Sequence, residues 1–137
     1  MEENKIRHLE MIQGVINRMA NNSFMLKGWA VTLVSGIFIL ASKDADKLYF
    51  LVSYIPVIVF WILDSYYLLQ ERLYRSLYEK VRKTKENDID FSLKASSKEF
   101  GNATNSLLNC LVSKTEILFY FPLAIVSAIV IILRYSL

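Results

Sequence analysis

Residues 117–133 read ILFYFPLAIVSAIVIIL and contain no charged side chain. Residues 28–42 share this property, and residues 48–69 contain a single charge, Asp64. A surface helix of a soluble domain carries polar residues along its solvent face, so segments without such a face are typical of helices surrounded by lipid. The sequence therefore predicts an all-α integral membrane helical bundle with three transmembrane helices, at residues 24–42, 48–69 and 117–133.

The first predicted span is short unless its flanking lysine contributes. Its uncharged part, Gly28–Ser42, rises only about 22 Å, whereas the hydrocarbon core of a bilayer is about 30 Å thick. The long stem of Lys27 can reach the headgroups from within the boundary, so that residues 24–26 also enter the membrane. A two-span protein, in which residues 117–133 are re-entrant or peripheral, is the alternative.

The remaining segments are amphipathic or polar, and the chain is predicted to form a single domain. Residues 70–116 predict a helix that continues the second span, then a polar loop at 87–101 and a short helix at 103–115 before the third span. Residues 4–22 predict an amphipathic helix, which can pack on its own bundle, lie in the membrane interface or contact another subunit. Its apolar side chains recur at helical spacing and are Ile6, Leu9, Ile12, Ile16 and Met19.

The distribution of Lys and Arg predicts the orientation of the chain. Residues 1–27 and 70–116 together hold thirteen basic residues, whereas the connection at 43–47 and the segment after Leu133 hold three. Because basic residues are retained on the cytoplasmic side of a membrane, the N-terminus and residues 70–116 are predicted to be cytoplasmic and the C-terminus to lie outside. We expect a multi-pass membrane protein.

Composition and motifs argue against several classes of protein. The net charge of +3 is too small to predict a nucleic-acid partner. His8 and Cys110 are the only histidine and cysteine, and Asp88 and Asp90 lack the further spaced ligands and the turn glycine of a calcium loop. The sequence has neither a phosphate-binding loop nor a nucleophile elbow. We therefore expect no catalytic site, no metal and no cofactor.

A face of small residues marks the first predicted span. Gly28, Thr32 and Gly36 recur every four residues, and Ser35 lies beside them. Helices in lipid associate by close backbone approach over small side chains. This face is predicted to pack helices, either within one chain or between the subunits of a homo-oligomer.

Charged residues at and after the second span carry two further predictions. Asp64 is interpreted either as a structural group satisfied by Tyr66, Tyr67 or Arg72, or as part of a pore or gate. The stretch that follows is basic, which favours a topology signal and contact with anionic lipid or with a cytosolic partner. Its basic residues are Arg72, Arg75, Lys80, Arg82, Lys83 and Lys85.

Two stretches carry a resemblance to a known group of proteins. Residues 8–36 read HLEMIQGVINRMANNSFMLKGWAVTLVSG, and residues 60–83 read FWILDSYYLLQERLYRSLYEKVRK. They resemble small bacterial membrane proteins, and their layout is similar to that of SLATT-type effector domains. In those domains an amphipathic helix precedes a transmembrane hairpin and a cytosolic helix follows it. The predicted third span is absent from that layout.

The resemblance implies an effector associated with phage defence that forms membrane pores. We accordingly expect a homo-oligomer that perturbs or permeabilises the membrane when a cytosolic partner or signal releases it. The alternative is a non-conducting membrane adaptor that docks a soluble protein through residues 70–116.

Overall fold

The computed structural model describes residues 2–41, 50–102 and 104–136, and this part of the chain is helical with no β-strand. The predicted connection at 43–47 lies outside the described residues. Five α-helices are found in the described ranges, and a 3₁₀ turn at Glu86–Asp88 follows the second of them. They are α1 (Glu3–Ala41), α2 (Tyr54–Lys83), α3 (Ser97–Phe100), α4 (Leu107–Leu111) and α5 (Lys114–Ser136).

Helix α1 joins two segments that the sequence predicts separately. The amphipathic stretch at 4–22 and the apolar stretch at 24–42 form one uninterrupted helix of 39 residues, Glu3–Ala41. No proline occurs in it, so nothing forces a break between the two stretches. At ~1.5 Å per residue α1 is about 58 Å long, nearly twice the thickness of a bilayer core.

Helices α1 and α2 run antiparallel and make the most extensive contact of any helix pair. At one end the Lys5 ammonium donates a hydrogen bond of 2.9 Å to the carbonyl of Arg82, and at the other Lys27 reaches Asp64. We call residues 3–22 of α1 together with residues 70–83 of α2 the stalk. Residues 24–41 of α1, residues 54–69 of α2 and α5 form the apolar bundle.

The stalk has its own hydrophobic core. Ile12 and Ile16 of α1 are buried against Leu77 and Val81 of α2, so the N-terminal amphipathic face packs on its own chain. The segment at 87–101 folds back and covers this core, and it includes the short helix α3. Apolar side chains from this segment complete the cluster, namely Ile89, Leu93, Ala95 and Phe100.

The apolar bundle buries polar as well as apolar side chains, and its exterior is apolar. Its core contains Ala30, Val34, Val57 and Tyr120, and the polar residues buried at or beside it are Ser53, Asp64, Ser65, Glu116 and Ser127. Large apolar side chains cover its exterior instead, among them Trp29, Ile58, Ile62, Leu118, Ile129 and Ile132. Soluble monomers rarely expose a contiguous apolar surface of this extent.

Two helices are long and apolar enough to cross a membrane, one covering Glu3–Leu40 and the other Lys114–Ser136. They correspond to the first and third predicted spans. The second predicted span, at 48–69, is not among the described helices that meet this criterion. Residues 48 and 49 are outside the described residues, and α2 begins only at Tyr54 and continues into the charged stalk. The all-α fold is confirmed, whereas insertion into a membrane and the number of crossings stay predictions.

Candidate functional site

Three charged side chains meet where the apolar segments of α1, α2 and α5 end. The Lys27 ammonium lies 2.5 Å from Oδ2 of Asp64 and 3.3 Å from Oε1 of Glu116. Lys27 and Glu116 each directly precede an uncharged run of their helix, and Asp64 is the single charge in the apolar part of α2. We call these three residues, together with Ser23 and Tyr120, the charge cluster.

Asp64 is fully buried and well supplied with hydrogen-bond donors. The Ser23 hydroxyl donates to Oδ1, and the Tyr120 hydroxyl donates to Oδ2 at 2.9 Å. The Lys27 ammonium also donates a hydrogen bond of 2.9 Å to the Ser23 hydroxyl, so α1 holds Asp64 through two linked side chains. The two oxygens of Asp64 thus accept hydrogen bonds from two side chains of α1 and one of α5.

The partners that the sequence predicts for Asp64 are wrong. Tyr66 packs edge-on against Tyr67, with ring centroids 5.8 Å apart. The Arg72 guanidinium donates to the carbonyl of Thr104 at 2.7 Å and to the side chain of Asn109 at 2.8 Å. The hydrogen-bond partners of Asp64 are instead Ser23 and Lys27 of α1 and Tyr120 of α5.

Glu116 is the functional candidate that sequence analysis missed. It is 1% exposed, yet its Oε1 has only the Lys27 contact and its Oε2 has no hydrogen-bond partner. The sequence assigns it to the polar segment at 70–116 because it is the last charge before the third apolar run. Lys27 likewise directly precedes the first apolar run. This shared position is the sequence signal that could have identified Glu116.

Aromatic side chains enclose the cluster. The ring of Trp61 stacks on that of Tyr120 with a centroid distance of 6.0 Å, and its Nε1 donates to the carbonyl of Leu111 at 2.9 Å. Phe119 contacts Tyr120 edge-on, at 4.8 Å between centroids. The hydrogen bond to Leu111 ties α4 to the bundle beside the charges.

A cavity of about 430 Å³ opens between α1, α2 and α5 and reaches the charge cluster. Its polar lining comes from Ser23, Lys27, Glu71, Thr115 and Glu116. The rest of its wall is apolar and consists of Ala20, Phe24, Leu68, Leu118 and Phe119. The cluster is therefore reachable from one side, although Asp64 is not.

The predicted packing face on α1 is open in the single chain. Gly28, Thr32 and Ser35 are exposed and Gly36 is half-buried, and a Cβ atom added at either glycine would meet nothing within 4 Å. The intrachain contacts of α1 at this level come from Ala30 and Val34 instead. The face is available for contact with lipid or with another subunit.

Four of the six basic residues after the second span are paired within the chain. Besides the Arg72 contacts, Arg75 lies 3.1 Å from Glu71 and Arg82 lies 2.7 Å from Glu79. Lys80 contacts the carboxylate of Glu99, and this pairing raises the pKa of the lysine. No side-chain hydrogen bond or ion pair occurs for Lys83 or Lys85 within the described residues.

The distal basic residues lie far from the apolar bundle. Lys83 follows Asp64 by nineteen residues of continuous helix, which is about 28 Å along α2. The potential of anionic headgroups falls off over a Debye length of about 8 Å. Lys83 and Lys85 are therefore well separated from the apolar bundle.

Comparison with protein-family models, with curated proteins and with solved structures gave no significant match. Among the described residues, no group of three His, Cys, Asp or Glu side chains is arranged to hold a metal ion. The functional argument therefore depends on the geometry of the chain itself.

Proposed function

We propose that this protein is a homo-oligomeric effector of the bacterial inner membrane that perturbs or permeabilises the bilayer when a cytosolic partner or signal acts on the stalk. The observation that carries the proposal is the continuity of α1. One uninterrupted helix, Glu3–Ala41, runs from the stalk core to the far end of the apolar bundle. A change at the stalk therefore acts directly on the bundle.

Insertion into a membrane is supported by the surface of the apolar bundle. Its exposed side chains are large and apolar whereas several of its buried side chains are polar, which is the distribution that lipid favours and water does not. The excess of Lys and Arg in residues 1–27 and 70–116 supports a cytoplasmic stalk.

Self-association is supported by the open face at Gly28, Thr32, Ser35 and Gly36. Thr32 donates its hydroxyl to the carbonyl of Gly28 at 2.9 Å, so the polar side chain is satisfied within its own helix. A neighbouring helix can then approach this surface without leaving a hydroxyl unpaired. The same residues have no role in intrachain packing.

The charge cluster is better placed to hold the three helices of the bundle together than to line a pore. Asp64 is sealed inside one chain by Ser23, Lys27 and Tyr120, so it does not face a path between subunits. These contacts join all three helices of the bundle at one point. In the proposed mechanism a displacement of the stalk weakens the Lys27–Asp64 contact and lets the helices separate.

Reconstitution tests the proposal. The mass of the purified protein in nanodiscs, with bound lipid subtracted, is expected to correspond to four or more chains, and liposomes containing it are expected to release an entrapped dye. A monomer in several mild detergents together with intact liposomes would exclude the effector.

A membrane adaptor is the second candidate, and exposed apolar residues near α4 favour it. Leu107, Leu108 and Val112 are 39%, 77% and 66% exposed, on the part of the chain that is predicted to be cytoplasmic. A docked soluble protein would cover such a patch. A monomer that forms a stoichiometric complex with one soluble protein, and that loses the complex on Leu108→Asp, would support the adaptor.

A further inference from the structure

The buried charges at the boundary of the bundle are not balanced. Two carboxylates, Asp64 and Glu116, share the single ammonium of Lys27. Asp64 receives the closer contact as well as the two hydroxyl donors, whereas Oε2 of Glu116 receives nothing. A buried carboxylate oxygen without a donor is costly, so Glu116 lacks one hydrogen-bond donor.

The same glutamate forms part of the wall of the cavity. Glu116 and Glu71 both line it, and Glu71 is shared with Arg75 on the outer surface of α2. The opposite wall is apolar and includes Phe24, which is 77% exposed, and Phe119. A ligand that fits both walls carries a positive charge at one end and an apolar body at the other.

We propose that this cavity binds an organic ammonium group carried on an apolar chain, with the ammonium at Glu116 and the chain along Phe24, Leu68 and Phe119. The N–H groups of such a ligand donate to the Glu116 carboxylate at the cavity wall. Its charge brings the cluster of Asp64, Glu116 and Lys27 to neutrality. Aromatic rings at the cavity wall add an attraction for the cation.

Other ligand classes fit the site less well. An anion would meet the carboxylates of Glu71 and Glu116, and the only ammonium near them is already engaged by two acids. A neutral apolar molecule would fill the apolar wall and leave the carboxylate oxygen unpaired. The assignment to an ammonium follows from these two exclusions.

Two sources share this chemistry. One is the headgroup of an amine-bearing phospholipid. Because the charge cluster lies at the end of the apolar bundle, such a headgroup could enter the cavity from the bilayer. The other is a free amphiphilic amine from solution. The inference concerns the cavity of one chain and does not depend on oligomerisation or on permeabilisation.

Equilibrium dialysis tests the site. Radiolabelled octylammonium is dialysed against the protein in phosphatidylglycerol nanodiscs, with empty nanodiscs subtracted. We expect saturable binding of one ligand per chain that unlabelled octylammonium displaces and octanol does not. Equal displacement by octanol, or no saturable binding above empty nanodiscs, would overturn the proposal.

Substitutions locate the ligand. Glu116→Gln is expected to weaken binding at least about tenfold, because it removes a charge-assisted hydrogen bond. Glu79→Gln changes an exposed glutamate on α2 outside the cavity and is expected to bind as the wild type does. Unchanged binding by Glu116→Gln would refute the assignment.

A second variant tests the cavity independently, in case Glu116→Gln does not fold. Phe24→Ala shortens a largely exposed side chain, so the fold should tolerate it. It removes part of the apolar wall and is expected to weaken octylammonium binding several-fold; no effect would contradict the placement of the chain.

Lipid analysis distinguishes the two sources. The protein is reconstituted with equal amounts of phosphatidylethanolamine and phosphatidylglycerol, and the retained lipid is identified by native mass spectrometry. Selective retention of phosphatidylethanolamine by the wild type but not by Glu116→Gln assigns the site to a lipid headgroup. Octylammonium binding without such retention assigns it to a free amine.

Discussion

The imbalance of the charge cluster gives an unusual prediction about the pair formed by Lys27 and Asp64. Both Lys27→Met and Asp64→Asn break the same 2.5 Å contact, yet they should differ in cost. Lys27→Met leaves two buried carboxylates, Asp64 and Glu116, without any cation. Removing one partner of a buried ion pair costs about 3–5 kcal/mol. Lys27 is 20% exposed, so we expect about 3 kcal/mol, near the lower end.

Asp64→Asn has a smaller cost because the remaining charges are balanced. Lys27 keeps Glu116 at 3.3 Å, and the amide can still accept a hydrogen bond from Ser23 or Tyr120. We expect a loss of about 1–2 kcal/mol, which is the cost of weaker hydrogen bonding rather than of an unpaired charge.

The double variant gives the sharpest test because the effect of Asp64→Asn should change sign. In the Lys27→Met background, Asp64→Asn removes one of two unpaired carboxylates that repel each other. It should therefore stabilise a chain that it destabilises in the wild-type background. Such a reversal is a coupling of more than about 1 kcal/mol, well above the additivity error of distant sites.

Unfolding in mixed micelles measures these differences. The mole fraction of sodium dodecyl sulfate is raised, and helix content is followed by circular dichroism for the wild type, both single variants and the double variant. Equal costs for the two single variants, or additive costs in the double variant, would refute the charge-imbalance argument.

Three other predictions follow from single residues. Gly28→Ile and Gly36→Ile should leave the unfolding free energy nearly unchanged, since a Cβ meets nothing there, but should lower the oligomer mass in nanodiscs; wild-type mass in both would assign the face to lipid. Asp64→Asn weakens the contact with Lys27 and should therefore increase toxicity on overexpression, compared with wild type at equal membrane level; killing equal to that of the wild type would remove Asp64 from the mechanism. Burial, with a smaller effect of Glu116, raises the pKa of the Cys110 thiol; iodoacetamide should therefore label the folded chain far more slowly than the denatured chain at pH 8, as counted by mass spectrometry, and equal rates would contradict its burial.

The sequence predicts the helical content and the approximate ends of α5 well. The uncharged run at 117–133 lies within α5, Lys114–Ser136, because a long apolar segment has few alternatives to a helix. The continuity of the helix across residues 22–24 could not be predicted from the sequence. A change from amphipathic to apolar pattern indicates a change of environment, and nothing in the pattern says that the helix stops there.

The charge cluster could be predicted only in part. Asp64 stands out because it is alone in an apolar run, but its partners Lys27 and Glu116 come from 37 and 52 residues away along the chain. Pairing between helices depends on their relative rotation and register, which packing at Ala30, Val57 and Tyr120 determines. Spacing along one helix does not contain that information. It predicts only nearby residues, such as Tyr66 and Arg72, as partners of Asp64.

Because α1 is uninterrupted, a tilt of this helix about Lys27 would move its two ends in opposite directions. Lys5 is 22 residues to one side of that point, roughly 33 Å away, and Ala41 is 14 residues to the other, roughly 21 Å away. A tilt of about 10° would move the stalk end by roughly 6 Å and the opposite end by roughly 4 Å. Both displacements are comparable to half the spacing between packed helices. In the proposed mechanism, a push of this size on the stalk would open a seam at the far side of the bundle.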